Sequence, residues 1–222
     1  VARINSDLDK LSLWASKWLV HFNPNKTVFM RISKKRQPRA LPPILLSGVV
    51  LQQVSNHCNL GMVFDSKMGW SDHIEHINRK CSIRIHKIMK LGCILQRFVL
   101  IRLYFSFIRH IIEYGDIILG QLPIYLANEL ESIQRRSALA CSACYSGAYR
   151  HTEHVTLLGE LEWELLATRR ANHRLIYYFR MLHGLLPTYV CNLLPTRTDA
   201  PSYSLRNKSI LRAPRVRTHL YS

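Results

Sequence analysis

The sequence has few acidic residues. It contains 14 Asp and Glu among 222 residues, and no two of them are adjacent. Two-metal phosphoryl transfer needs carboxylates that converge on paired Mg²⁺ ions, and no set of acids in the sequence has that arrangement. Asp7 and Asp9 lie at a predicted helix start and the acids at 160–164 lie between two predicted helices, so helix capping explains them. We therefore predict that this chain forms no metal site.

The sequence also lacks long apolar segments and a regular set of cysteines. The longest stretch without Asp, Glu, Lys or Arg, residues 40–64, contains two Pro, two Gln and two Asn, so it predicts no membrane span. The six cysteines are scattered, which is typical of a reducing compartment rather than of a disulfide framework. A glycine-rich phosphate loop and a nucleophile elbow are absent as well. We expect an intracellular protein with no membrane partner.

Basic residues, by contrast, are abundant. The sequence contains 31 Lys and Arg, which give a formal net charge of +17 and an isoelectric point near 10.0. A charge of this size favours a polyanionic partner, most simply nucleic acid. A basic membrane-surface protein is the alternative, but no long helix combines a basic face with a face rich in Trp and Phe.

The first 70 residues mix helical and strand patterns. Ser6 and Asp9 have the spacing of a capping box, and the apolar residues behind them predict a helix that Pro24 ends. Strands are predicted at 28–32 and 60–64, and a hairpin is predicted at 44–54.

The pattern becomes helical from Ser71 onward. Asp72 and Glu75 repeat the capping-box spacing. Helices are predicted at about 72–95, 97–114, 124–145, 153–160 and 163–185. A basic, poorly ordered tail is expected at 196–222. The predicted fold class is α+β, mostly α, with a small β-hairpin region followed by a helical bundle.

The helix predicted at 72–95 separates apolar and basic residues onto different faces. At about 100° per residue, its basic residues fall within an arc of roughly 140° beside the apolar face. Residues 79–110 contain eight Lys or Arg and no acid. A stripe of one charge sign is typical of a surface that follows phosphates, although a solvated face is the alternative. The predicted nucleic-acid-binding residues are Arg79, Lys80, Arg84, Lys87 and Lys90.

The helix predicted at 163–185 has a similar pattern. Arg169, Arg170 and Arg174 lie on one side of it, and no acid occurs between Leu165 and Thr198. We predict a second nucleic-acid-binding stripe here. The basic tail is a third candidate, as a flexible arm that binds phosphates.

Cys141 and Cys144, followed by His151 and His154, include the ligand types of a zinc site. The cysteines, however, lie in a run rich in Ala and Ser, where small residues pack closely, and the loop to the first histidine is short. Buried cysteines are the better explanation.

Several segments together resemble the reverse transcriptases of non-LTR (LINE-type) retrotransposons. In that family an Asn-x-x-Lys-Thr turn follows a helix and precedes a strand, and residues Asn23–Thr27 have this pattern. Leu60-Gly61 is similar to the family's aromatic-Leu-Gly primer grip, although Asn59 replaces the usual Tyr and His57 stands where Phe is common. The run Trp70–Ile74 resembles the family's entry to the thumb.

This resemblance implies a division into functional regions. Residues 1–70 would be the end of a polymerase palm, 71–150 a helical thumb and 151–195 a helical C-terminal region, followed by the basic tail at 196–222. The catalytic aspartates of the family are expected in a preceding, missing N-terminal half. The chain alone is therefore predicted to be inactive.

The resemblance also implies roles for single residues and partners. Lys26 would donate a proton to the leaving pyrophosphate or stabilise its charge, while Leu60 and Gly61 would hold the end of the growing DNA strand. The full family enzyme copies RNA into DNA with Mg²⁺ and dNTPs, so the expected partners are an RNA template and an RNA–DNA duplex. No cofactor is expected in this piece, and its expected location is the nucleus and cytoplasm, as a ribonucleoprotein.

Two other interpretations remain open. The chain could be a non-enzymatic basic RNA-binding protein, such as a repurposed retroelement remnant. It could also be an inert translated fossil that does not fold. A cooperative thermal transition would argue against the fossil.

Overall fold

The computed structural model describes residues 1–33, 35, 40–120, 122–142 and 153–194. Within these ranges the chain is α+β and mostly α, as predicted. It divides into two compact units, Val1–Ile77 and Asn78–Ser222, and the division falls inside helix α2 (Ser71–Leu91). The predicted tail at 196–222 lies outside the described residues, and the predicted division into palm, thumb and C-terminal regions stays a prediction.

In its described part, the first unit contains helix α1 (Ala2–Lys17), the start of α2 and three small two-stranded sheets. Strand β1 pairs in parallel with β4, β2 pairs antiparallel with β3, and β5 pairs antiparallel with β6. The strands are β1 (Val28–Met30), β2 (Leu45–Leu46), β3 (Val49–Val50), β4 (Gln52–Val54), β5 (Asn56–Asn59) and β6 (Met62–Asp65).

The predicted hairpin at 44–54 is confirmed only for its first part. β2 and β3 pair around the turn at 47–48, but β4 leaves the hairpin and pairs with β1 instead. Ile44, Leu46 and Leu51 form a buried cluster on which Leu8 and Phe29 pack. Burial of this cluster joins α1 to the strands.

Helix α1 begins earlier and ends earlier than its pattern predicts. It starts at Ala2, so Ser6 is an internal residue and not the N-cap, and it ends at Lys17 rather than near Pro24. Val20 N donates to Ala15 O, which closes the helix end ahead of that proline. Ala15 is buried, whereas Leu11, Trp14 and Trp18 are exposed.

The β5–β6 hairpin corrects the predicted strand at 60–64. Leu60 and Gly61 have φ values of +48° and +84°, so they form the two-residue turn and the strand begins at Met62. Positive φ at both central residues is the geometry of a type I′ turn, which matches the twist of paired strands.

The second unit is helical. Its helices after α2 are α3 (Arg97–Tyr104), α4 (His110–Glu113), α5 (Asp116–Leu119), α6 (Ile124–Ser142), α7 (His154–Leu161), α8 (Leu166–Leu182) and α9 (Thr188–Cys191). No described helix has the length and apolar character needed to cross a bilayer.

The predicted helix bounds need several corrections. α2 ends at Leu91, four residues early. The helix predicted at 97–114 is interrupted by a π turn at Phe105–Arg109 and ends at Glu113, because Tyr114 has an extended backbone with ψ 119°. α8 starts at Leu166, not 163, since Glu162 has a left-handed backbone and Trp163 packs as a core side chain.

Aromatic stacking and polar bonds organise the core of the second unit. The Tyr104 and Trp163 rings stack with centroids 3.9 Å apart and planes 13° apart. Arg136 of α6 donates to Asn78 Oδ1 at 2.5 Å and to Ser82 Oγ at 3.0 Å, which joins α6 to α2. Gln134 Nε2 donates to Glu164 O at 2.9 Å, which holds the start of α8 against α6.

Candidate nucleic-acid interface

Helix α2 has the two faces that its sequence predicts. Most residues of the predicted apolar face are buried: Ile74, Ile77, Cys81, Ile85 and Ile88. Leu95, which the pattern predicts as an extension of this face, lies beyond the end of α2 and is half-buried. Among the basic residues, Arg79, Lys80, Lys87 and Lys90 are exposed, and Arg84 is half-buried. The buried face fixes the rotation of the helix, so these four exposed cations face solvent on the same element. We call Arg79, Lys80, Arg84, Lys87 and Lys90 the α2 basic stripe.

Cys81, on the buried face of α2, has a thiol whose pKa is raised by burial. Burial raises this pKa to about 11, although Arg84, Arg136 and Lys80 partly oppose the shift. The thiol therefore stays protonated at neutral pH and serves as a small apolar core group.

A groove runs beside the stripe in the second unit. It has a volume of about 370 Å³ and is lined by Arg84, Lys87, Ile88, Leu91, Leu103 and Phe107. Arg84 Nη1 donates to Phe107 O at 3.1 Å, so a carbonyl of the π turn holds the guanidinium at the groove. The Phe107 ring is 52% exposed. The groove thus combines two cations with an apolar floor and an accessible aromatic ring.

Sequence reasoning did not find this groove. The sequence predicts an uninterrupted helix at 97–114. No pattern in it predicts the π turn that brings the Phe107 carbonyl to Arg84. The clustering of Phe98, Phe105 and Phe107 is the signal that was available.

The arginines of α8 make contacts within the protein. Arg169 forms ion pairs with Glu113, with Nη2 3.2 Å from Oε2, and with Glu164, with Nη1 3.5 Å from Oε2. Arg170 is 8% exposed, and its burial lowers the pKa of its guanidinium. Arg174 Nε donates to Arg170 O at 3.3 Å. Nucleic-acid binding by this stripe stays a prediction, while the contacts observed stabilise the fold.

Glu113 is the centre of this charge network. It accepts hydrogen bonds from Arg109 Nε at 2.9 Å and from Arg169. Burial acts to raise the pKa of the Glu113 carboxyl, but the hydrogen bonds from Arg169 and Arg109 outweigh it, and the pKa lies below its usual range. The carboxylate is therefore ionised at neutral pH and ties α4 to α8.

Lys26 lies at the end of a short 3₁₀ turn, Pro24–Lys26, in the first unit. The turn is held by Asn23 and Thr27: Asn23 Oδ1 accepts from Asn25 N at 3.0 Å, and Thr27 Oγ1 donates to Asn23 O at 2.8 Å. Lys26 itself is exposed. The Asn and Thr of the motif thus have a structural role, and they present the lysine to solvent.

Leu60 and Gly61 form the tip of the β5–β6 hairpin. Leu60 is 83% exposed, and His57 and Asn59 on β5 are also exposed. Close to this tip, Val63 N on β6 donates to His73 Nδ1 at 3.2 Å, which ties the hairpin to the start of α2 within the first unit. The hairpin tip is accessible to a macromolecule.

The possible zinc ligands are only partly described. Cys141 is fully buried, and burial raises the pKa of its thiol to about 12, which disfavours the thiolate that zinc binds. Cys144 and His151 lie outside the described residues. Among the residues that the structure describes, no group of three or more His, Cys, Asp or Glu could hold a metal ion.

A curated relative supports a relationship to reverse transcriptases. This relative, a probable RNA-directed DNA polymerase from transposon BS of Drosophila melanogaster, is 30% identical to the chain over 81 residues. The aligned part covers 36% of this chain and 9% of the relative, so the chain matches a small part of that protein's length. No protein-family model matches the chain. No solved structure matches it either.

Proposed function

We propose that the chain is part of the RNA-directed DNA polymerase of a non-LTR retrotransposon, comprising the end of the palm, the thumb and part of the C-terminal region. Its similarity to the transposon polymerase supports this proposal. The Asn-x-x-Lys-Thr turn, followed directly by β1, and the accessible Leu60-Gly61 hairpin tip are consistent with a palm. In this scheme residues 71–150 form the thumb and residues 151–195 form the helical C-terminal region.

The proposed role of this piece is to grip an RNA–DNA duplex. The observation that carries the proposal is the α2 basic stripe, whose four exposed cations lie beside a buried face on one helix. Phosphate contacts of this kind depend on charge and spacing and have little sequence preference. Leu60 and Gly61 would contact the end of the primer strand, and Lys26 would donate a proton to pyrophosphate or stabilise its charge.

Bond formation is assigned to another part of the protein. The small number of acids in the sequence, no two of them adjacent, favours this assignment. We place the catalytic aspartates in a preceding segment of a longer protein. The exposed apolar residues of α1, which include Leu11, Trp14 and Trp18, would pack on that segment. The assembled enzyme would act as a ribonucleoprotein in the nucleus and cytoplasm.

Charge reversal on α2 tests the duplex-binding role. Lys87→Glu with Lys90→Glu should lower the affinity for RNA–DNA duplexes by about tenfold or more. It should also reduce the slope of log K against log salt concentration by about two, because two phosphate contacts are lost. Fluorescence anisotropy over a range of salt concentrations measures both effects.

The matched control is Lys10→Glu with Lys17→Glu. Both lysines are exposed on α1, and the exposed pair of Lys10 with Asp7 contributes little to stability. The control changes the net charge equally, so it reports any general loss of attraction. Equal affinities for the two double variants would refute the assignment of the α2 basic stripe.

The alternative is a non-enzymatic protein that binds single-stranded RNA. The exposed Phe107 ring beside Arg84 and Lys87 favours it, because bases stack on aromatic side chains that line cationic grooves. Phe107→Ala separates the two functions. Duplex binding through phosphates predicts nearly unchanged affinity, whereas stacking of single-stranded bases predicts a loss of about 1–3 kcal/mol. Binding titrations with both ligands decide between them.

A further inference from the structure

Three strand ends meet at one edge of the first unit. They are the segment after β1, the end of β4 and the residues after β6. Backbone bonds join them: Ser33 N donates to Ser66 O at 2.9 Å, and Ser66 N donates to Ser55 O at 2.8 Å. These bonds bring residues that are far apart in sequence to one place.

A cavity of about 430 Å³ opens at this edge. Its polar lining includes three cations and three hydroxyls, which belong to Arg31, Lys35, Lys67, Ser33, Ser55 and Ser66. The described residues that line it include no Asp or Glu. The cavity is therefore strongly cationic and rich in hydrogen-bond donors.

Asp65, the acid nearest in sequence to the residues that line the cavity, makes its hydrogen bonds to a neighbouring turn. Asp65 accepts hydrogen bonds from the backbone N–H groups of Lys67 at 2.7 Å, Gly69 at 2.7 Å and Trp70 at 3.1 Å. These bonds commit its carboxylate to the turn that follows β6. Asp65 shapes that turn, which carries Lys67, and it is not among the residues that line the cavity.

We propose that this cavity binds a phosphate group of a nucleic-acid strand. Guanidinium, ammonium and hydroxyl donors together match the oxygens of phosphate, and bonds between charged partners are the strong ones. The strand as the source of the phosphate rests on the proposed nucleic-acid function. A nucleoside triphosphate carries the same phosphate oxygens and is the alternative source of the phosphate.

The test is a double variant, Lys35→Ala with Lys67→Ala, in the full chain. Both lysines are exposed, so their removal should leave the fold intact. The affinity for an RNA–DNA duplex should fall, and the slope of log K against log salt concentration should decrease by about one, as expected for one lost phosphate contact. Lys35→Arg with Lys67→Arg should restore both. Lys10→Ala with Lys17→Ala, which removes the same charge from α1, should leave the slope unchanged.

Each outcome decides between sources of the phosphate. Weaker duplex binding with unchanged binding of a deoxynucleoside triphosphate supports a nucleic-acid strand. Weaker triphosphate binding with unchanged duplex binding overturns the strand as the source and assigns the cavity to a nucleotide. If neither ligand is affected relative to the α1 control, the cavity is not a phosphate site.

The α2 variant keeps this test separate from the proposed function. If Lys87→Glu with Lys90→Glu weakens duplex binding and the cavity variant does not, only the cavity proposal fails. If neither variant weakens it, both proposals fail.

Discussion

At the scale of single residues, Glu113 shows how one carboxylate organises a basic protein. It accepts hydrogen bonds from Arg109 within its own segment and from Arg169 of α8, so one negative charge pairs with two of the many cations. The chain separation of 56 positions between Glu113 and Arg169 hides this pair from sequence reasoning. No acid occurs between Leu165 and Thr198, and for that reason the sequence predicts that the arginines of this helix bind phosphates. The acids that pair with Arg169 lie outside α8, so the local sequence gives no sign of them.

Glu113→Gln should destabilise the protein by about 1–3 kcal/mol at neutral pH, since two arginines lose a half-buried charged partner. The pKa of Glu113 is lowered in the folded state, so its contribution is fully present above the unfolded pKa of about 4.3. That contribution is lost as the pH falls through the folded pKa. Urea unfolding at a series of pH values measures the difference between the two proteins.

The control for this prediction is Glu129→Gln, because Glu129 is exposed on α6. Its stability should stay close to that of the unaltered chain across the same pH series. A Glu113→Gln protein as stable as this control at neutral pH would show that the ion pairs make no net contribution.

At the scale of elements, the repeat of apolar residues predicts which face of α2 is buried, but not where helices end. The buried and exposed faces can be predicted because the spacing of apolar residues in the sequence matches the helical period of 3.6 residues per turn. The ends depend on single backbone conformations, such as the left-handed Glu162 before α8, or on the π turn at Phe105–Arg109. Short strands are harder still to predict, because β4 pairs with β1, which lies 24 positions earlier in the chain.

The same substitution should have opposite effects in two elements. Gly61→Ala places a side chain on a backbone with φ +84° in the hairpin turn and should cost about 1–2 kcal/mol. Gly159→Ala lies inside α7, where an added Cβ meets no atom within 4 Å, and should stabilise the protein by up to about 1 kcal/mol. Thermal unfolding of the two variants checks the signs. A stabilised Gly61→Ala protein would contradict the positive-φ turn.

At the scale of the whole molecule, the net charge indicates a class of partner but not how the individual cations are used. A charge of +17 favours a polyanionic partner without any structural detail. The structure adds the arrangement: exposed cations on α2, a cationic cavity in the first unit, and Arg169 of α8, which binds two carboxylates within the protein. Composition cannot separate these three uses of a basic side chain, because each depends on neighbours that are distant in sequence.

The salt dependence of duplex binding by the unaltered chain tests whether this protein holds nucleic acid through its phosphates. If the four exposed cations of α2 each contact one phosphate, log K should fall linearly with log salt concentration, with a slope of about −3 to −4 from this helix alone. RNA–DNA duplexes of two unrelated sequences should give the same slope and similar affinities. A weak salt dependence, or strong binding to only one of the two sequences, would contradict the claim that this chain grips nucleic acid through its phosphates.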